Sequence, residues 1–258
     1  MKQVSTHQLA NWLDATLQVH RFKDYCPNGL QVEGKTSIRH IITGVTASQA
    51  LLEAAVARNA DAVLVHHGWF WKNENPCIRG PKRKRLALAL HHDLNVFAYH
   101  LPLDAHVSLG NNAQLARVLG FTPDRDSDGA PMTCGPDGVV WLGRCDPPMM
   151  LQELGDSICN SLQRRPLVVG NTQQRIARIA WCTGGAQGMF EAAVTAGVDA
   201  YLTGEASEPT FHLARETGTA FIGAGHHATE RYGVQALGAA IAHEFGVKVE
   251  FIDVDNPI

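Results

Sequence analysis

The chain repeats itself, and this constrains its fold more than any other feature. Displaced by 138 positions, QALLEAAVARNADAVL (Gln49 to Leu64) falls on QGMFEAAVTAGVDAYL (Gln187 to Leu202) with eight identities in sixteen positions. Unrelated stretches of average composition would share about one. Any two Ala-rich helix-to-strand units look somewhat alike, but Ile38 and Ile41 also fall on Ile176 and Ile179 in the same register. Duplication is the better reading. A length of 258 residues then reads as one unit of about 130 residues used twice, within the usual domain range. The expected architecture is α/β, with two similar duplicated halves, 1–125 and 126–258, the boundary being approximate.

Short apolar runs alternate with helical patterns, the mark of parallel α/β units. Strands are expected at His40 to Val45, Ala62 to Val65, Asn95 to Tyr99, Gly138 to Leu142, Ile176 to Cys182, Ala200 to Thr203, Ala220 to Ala224 and Val247 to Val254. Helices are expected near Ser48 to Arg58, Arg83 to His92, Asn111 to Leu119, Met149 to Leu162, Gln187 to Ala196, Glu208 to Glu216 and Thr229 to Phe245. The last carries Val234, Leu237, Ile241 and Phe245 at helical spacing, leaving its opposite face for chemistry or solvent. Beyond the repeated strands the register shifts to 126, because the first half carries an insertion around Trp69 to Lys82. In that weaker alignment His100 pairs with His226 and Asp104 with Glu230.

Functional groups in α/β units sit beyond the carboxyl ends of the strands. His66 and His67 end one strand, Asp104 follows another, and His226 with Glu230 follows a third. Consecutive strand residues point to opposite faces, so the paired histidines can share a site only where the chain bends, and Gly68 offers that freedom. His226 and Glu230 lie one helical turn apart on one face. Three imidazoles and two carboxylates exceed what one open catalytic ion needs and suit two divalent ions, with Glu230 the favoured bridge. Iron, zinc and manganese all accept such a mixed set. A lone histidine at a strand end is more often a hydrogen-bonded core or surface residue; five suitable residues at equivalent places of a repeat weigh against that for the group.

Glu205 falls on His67 in the repeat and is a candidate outer carboxylate or general acid/base, with His100 a candidate for the same outer layer; a surface glutamate and a buried structural histidine are the plain alternatives. His106 reads as a loop histidine. The run Lys82 to Arg85 reads as a solvated face with positive charge at a helix start. The insertion GWFWKNENP (Gly68 to Pro76) either closes over the site or buries its rings against another subunit.

Composition narrows the function classes. With 22 basic against 25 acidic residues, charge makes no general case for a nucleic-acid partner. Only 18% of residues are charged against 45% apolar, which favours self-association over an ordinary monomer surface. The six cysteines form no CxxC pair, so neither a zinc knuckle nor a disulfide framework is indicated. No apolar run reads as a signal or membrane span, and a cytoplasmic location is expected. Walker-type, GxGxxG and nucleophile-elbow patterns are absent.

Taken together, NGLQVEG (Asn28 to Gly34), TGVTAS (Thr43 to Ser48), DAVLVHHG (Asp61 to Gly68), HLPLDAH (His100 to His106), GNNAQLA (Gly110 to Ala116), TGE (Thr203 to Glu205) and GHHATE (Gly225 to Glu230) resemble the GTP cyclohydrolase 1 type 2 family, the NGG-interacting-factor-three-like proteins or dinuclear-metal-centre hexameric proteins. The short bacterial type is the nearest match. The resemblance implies a dinuclear metal site carried by His66, His67, Asp104, His226 and Glu230, placed between two α/β halves, and a toroidal homohexamer. It implies a metal-dependent hydrolase acting on a nucleotide-like substrate, by GTP ring-opening with formate release, or a metal-dependent phosphoesterase. The alternative it leaves open is a non-catalytic metal-binding ring or regulator linked to DNA damage responses.

Overall fold

Residues 2–258 are described, from a computed structural model. The chain divides into two compact units, one running to Gly110 and taking in Gly233–Asp255, the other comprising Asn111–Tyr232 with Asn256–Ile258.

In the first unit the sheet runs in the order Lys248–Phe251, His40–Thr46, Ala62–His67, Asn95–Ala98, Gly29–Val32. Its first four strands are parallel and Gly29–Val32 is antiparallel. Ile41, Ile42, Val63, Val65 and Val96 are all buried, as continuous apolar runs must be when helices cover both faces of a parallel sheet. One face packs Leu9, Leu13, Ile41, Leu64, Phe97, Val234, Leu237 and Ile241 together. The other packs Ile42, Leu51, Leu52, Val63, Val65 and Trp69. A helix not anticipated from the sequence, Thr6–Thr16, begins where the Ser5 hydroxyl accepts from the Gln8 N–H at 3.2 Å and buries Leu9 and Leu13, one turn apart.

The second unit orders its strands Leu167–Val169, Ala220–Gly223, Ala200–Thr203, Arg175–Trp181, Val140–Met150, Phe121–Pro123. The three from Ala220–Gly223 to Arg175–Trp181 are parallel, and the strands outside them are antiparallel. Leu115, Leu119, Leu154, Ile158 and Trp181 share one cluster, and Leu142, Ala180, Phe190, Tyr201 and Phe221 another. The expectation of parallel units therefore holds for the repeated core and not for its flanks.

The repeat is preserved in the ladders. Ile41 faces Ala62 as Ile179 faces Ala200, and both pairs are separated by the 138 positions read from the sequence. At the start of each second strand an aspartate does the same work: Asp61 Oδ2 accepts from the N–H groups of Arg39 and His40 at 2.8 and 3.1 Å, and Asp199 Oδ2 from those of Ala177 and Arg178 at 2.9 and 2.8 Å. The preceding helix ends in a left-handed residue in both, Asn59 at φ 52° and Gly197 at φ 70°. Further on, Ala62 pairs with Asn95 and Ala200 with Ala220. The ladder thus sets an offset of 125 through the third strand, and the 126 that superposes His100 on His226 applies only after one extra residue beyond the strand.

The boundary expected at residue 125 is corrected. Helix Asn111–Leu119 contributes Leu115, Ala116 and Leu119 to the second unit's core, while Lys248–Phe251 pairs along His40–Thr46 in the first.

Candidate metal centre

Within the first unit, Ala62–His67 carries two histidines at its carboxyl end. His66 is fully buried and donates from Nδ1 to the Tyr99 carbonyl at 3.0 Å. A neutral imidazole that donates from Nδ1 keeps its lone pair on Nε2, and that nitrogen lies 3.5 Å from Asp104 Oδ1. His67 Nδ1 lies 3.3 Å from the Thr46 hydroxyl. Gly68 works differently from the expected bend: its backbone is not left-handed, but a Cβ there would stand 2.3 Å from Gln31 Oε1 and 2.4 Å from Ala98 Cβ. What matters is close approach. Gln31 then grips the turn, accepting from the Trp69 N–H at 2.7 Å and donating to the Trp69 carbonyl at 3.1 Å.

His100 joins this group. One ring nitrogen from each of His66, His67 and His100 lies within 4.8 Å of the others. His100 Nδ1 donates to Asp24 Oδ1 at 2.7 Å, and the His100 N–H donates to Asn28 Oδ1 at 2.7 Å. Asp24 also accepts from the N–H groups of Tyr25 and Leu101 and from Asn28 Nδ2. Burial alone would raise the Asp24 carboxyl, but His100, Asn28 and the Tyr25 N–H outweigh it and hold it at about 2. Burial and the Asp24 charge push the neighbouring Cys26 thiol up to about 12. Asp24 and Asn28 escaped the sequence reading, because a loop carboxylate 76 positions before its histidine leaves no periodic trace.

Asp104 sits in the short helix Leu101–Ala105, opened by Pro102. Just beyond, a Cβ at Gly110 would meet the carbonyls of His106 and Leu103 at 2.4 and 2.6 Å. His106 is occupied structurally: its Nδ1 accepts from the Ser108 and Leu109 N–H groups, and burial lowers its pKa. In the aromatic insertion, Trp69 is buried and donates to the Ala47 carbonyl at 2.9 Å. Trp71 instead stands edge-on to His100, ring centroids 5.1 Å apart, and 6.0 Å from His67. The basic run opens a helix, where Lys82 pairs with Glu74 at 3.2 Å and lies over Phe70; Arg83 and Lys84 are exposed.

In the second unit His226 opens the helix His226–Phe245. Its Nδ1 lies 2.6 Å from Glu205 Oε1 and its Nε2 lies 3.2 Å from Glu230 Oε2. Burial pushes the imidazole down, but Glu230 and then Glu205 outweigh it and raise it to about 9. Glu205 is thus the orienting carboxylate of His226 rather than a loose surface residue, and Gln187 Nε2 donates to its other oxygen at 3.3 Å. The buried Glu230 carboxylate rests against bare backbone. A Cβ on Gly184, itself left-handed at φ +70°, would stand 2.1 Å from Glu230 Oε1. Thr229 fixes this turn, its hydroxyl accepting from the Gly184 N–H at 3.0 Å and donating to the His226 carbonyl at 2.9 Å.

Comparison with known proteins agrees with these motifs. A model of Duf34/NIF3 (NGG1p interacting factor 3) matches residues 4–257. The chain belongs to the Duf34/NIF3 family. A relative from Pseudomonas aeruginosa, named a GTP cyclohydrolase 1 type 2 homolog, is 53% identical over 255 residues, covering 98% of this chain and 99% of its own. A Neisseria meningitidis relative of the same name is 53% identical over 246 residues, covering 95% and 96%. Among solved structures, protein ybgI, described as of unknown function, superposes with a TM-score of 0.93 at 47% identity, covering 99% of this chain and 100% of its own. A protein from Thermus thermophilus superposes at 0.86 with 32% identity over 99% of this chain and 100% of that one. This Duf34/NIF3 chain therefore carries, among its described residues, histidine and carboxylate side chains grouped closely enough to bind a metal. No helix among its described residues is long and apolar enough to cross a membrane.

Proposed function

We propose that this Duf34/NIF3 protein is a metal-dependent hydrolase in which His66, His67, Asp104, His226 and Glu230 hold two divalent ions and the substrate is nucleotide-like. That the five residues serve one dinuclear centre rests on their match to the family pattern. The observation that carries the metal reading is the state of the imidazoles. His66 commits Nδ1 to a carbonyl and His226 sets Nδ1 against a carboxylate, which leaves Nε2 as the nitrogen to face a metal, on His226 once an ion displaces the proton it directs at Glu230. Gly184 supplies the second fit, its missing Cβ leaving the space that Glu230 Oε1 occupies.

When bound, two such ions supply Lewis acidity and an acidified attacking water. The protein's own part is to position and shield: Glu205 holds His226, Tyr99 holds His66, and Trp71 walls the His67 and His100 side against solvent. Assembly as a toroidal homohexamer and a cytoplasmic location complete the reading, the low charged fraction of 18% supporting self-association.

Elemental analysis of protein loaded with manganese, zinc or iron, alongside a screen against nucleotides, pterin precursors and phosphoesters, tests the proposal. Two ions per chain and turnover abolished by Glu230→Gln are expected. One ion or none sinks the dinuclear centre, while two ions without turnover of any substrate class leaves a metal-binding ring or regulator in its place.

A further inference from the structure

We propose that His66, His67 and His100 form a three-histidine site that holds a zinc-, iron- or cobalt-class cation with donors of the first unit alone, His100 being a ligand. The inference rests on the reading of His66 and His67 as ligands and adds one that the five-residue set omits. Its first support is convergence. The ring centroids are 4.5 Å apart for His66 and His67, 5.0 Å for His66 and His100, and 5.8 Å for His67 and His100, with one nitrogen per ring inside 4.8 Å of the others. Three nitrogens on one tetrahedral ion stand about 3.3 Å apart at bonds of about 2.05 Å. Small ring rotations close that gap, and His67 and His100, both partly exposed, have room to make them.

A second support is tautomeric. His66 and His100 spend Nδ1 on acceptors that can only accept, the Tyr99 carbonyl and the Asp24 carboxylate, and the Thr46 hydroxyl beside His67 Nδ1 can accept as well. His66 and His100 are therefore poised to coordinate through Nε2, and the Thr46 contact is compatible with the same tautomer of His67.

The repeat supplies a third. His226, a proposed ligand, carries a carboxylate on Nδ1, and His100, its counterpart, carries one too, from a different part of the chain. Asp24 accepts from three backbone or side-chain N–H groups besides His100 and is 3% exposed. A histidine needed only for packing does not require so rigid an orienter. Neutral imidazoles select borderline transition metals over magnesium and calcium, and Trp71 shields the ring from one side.

The test uses full-length His226→Ala/Glu230→Gln protein, which lacks the second unit's donors, titrated with cobalt(II) and read by its visible ligand-field bands. One equivalent with a low-coordinate, nitrogen-rich spectrum is expected. Asp24→Asn in that background should weaken binding about 10- to 100-fold. His100→Ala should weaken it at least as much, with added imidazole restoring the spectrum. If His100→Ala lowers the melting temperature of the metal-free protein, His100→Gln, which can still donate to Asp24, carries the comparison. No cobalt bound by the double variant, or unchanged affinity after loss of His100, overturns the proposal. A wild type that takes two ions and a His100→Ala protein that takes the same two with equal affinity also overturns it while leaving the dinuclear centre standing; a wild type that takes none removes both.

Discussion

Where the first unit ends its second parallel strand in His66 and His67, the second unit has Gly204 and Glu205 at the same repeat positions; where the first has Thr46, the second has Gly184. The histidine after the third strand is kept in both, His100 and His226, and each is clamped through Nδ1 by a carboxylate. Yet the clamp comes from the loop before the sheet in one unit, Asp24, and from the end of the second strand in the other, Glu205. The backbone positions were inherited together, whereas the donors were reassigned within them. Backbone hydrogen bonding, by contrast, stayed fixed: Asp61 and Asp199 do one job in one geometry.

The sharpest break in the equivalence is the aromatic insertion, which has no counterpart in the second unit. Trp69 fills the first unit's core against Val32, Leu86 and Ala89, while Phe211, at the position of Leu86, is 48% exposed beside an open cavity of about 580 Å³ lined also by Leu167, Val168 and Arg215. Trp69→Ala should destabilise by about 3 to 5 kcal/mol. Phe211→Ala should stay within about 0.5 kcal/mol, and equal losses in urea unfolding would abolish the contrast.

Next in size is Gly184. Gly184→Thr recreates the residue of the first unit, but its Cβ would overlap Glu230 and its φ is left-handed, so a loss of about 2 to 3 kcal/mol and weaker metal uptake are expected. Thr46→Gly should cost less, since the Thr46 side chain contributes only the 3.3 Å contact to His67 there; a milder Gly184 variant, read by thermal melting, would undo the cradle argument.

The aspartate pair sharpens the comparison. Asp61→Asn should cost about 1 to 3 kcal/mol, and more than Asp199→Asn, because Asp61 also binds Lys35 at 2.8 Å. Burial raises the Asp61 carboxyl, but Lys35 and the Arg39 and His40 N–H groups outweigh it and lower its pKa. A depressed folded-state pKa stabilises fully above the unfolded value, and that contribution fades as pH falls through the folded one. The gap between wild type and Asp61→Asn should therefore be widest at neutral pH and shrink below about pH 4; a gap independent of pH would contradict the assignment. Smallest is the left-handed pair. Gly197→Ala should cost about 1 kcal/mol, while Asn59→Gly should be near neutral, and matched melting temperatures would show the two turns to be unlike.

Much of this was legible before the structure. The 138-residue register survives in the ladder pairs, since apolar strands buried on both faces leave little freedom to slip. The Val234, Leu237 and Ile241 stripe does face a core. Strand direction was not legible: nothing local in Gly29–Val32 or Val140–Met150 says whether its neighbour runs with or against it. The helix Thr6–Thr16 was readable from Ser5, Leu9 and Leu13 but overlooked. At the site, donor residues declare themselves by type and place, whereas their orienters, Asp24, Asn28 and Thr229, are ordinary polar residues whose importance exists only in three dimensions.

The assignment of segments to units bears on how the gene could be divided. Helix Asn111–Leu119 follows the first repeat but helps fill the second unit's core, and Gly233–Asp255 follows the second repeat but belongs to the first unit. A fragment stopping at Gly110 would lack Val234, Leu237 and Ile241, and would bare the edge of His40–Thr46 that Lys248–Phe251 covers. Of two pieces cut there, the first would be partly folded or insoluble until the second lent it Gly233–Asp255, whereas the second would keep all of its own unit and carry that helix and strand unpartnered.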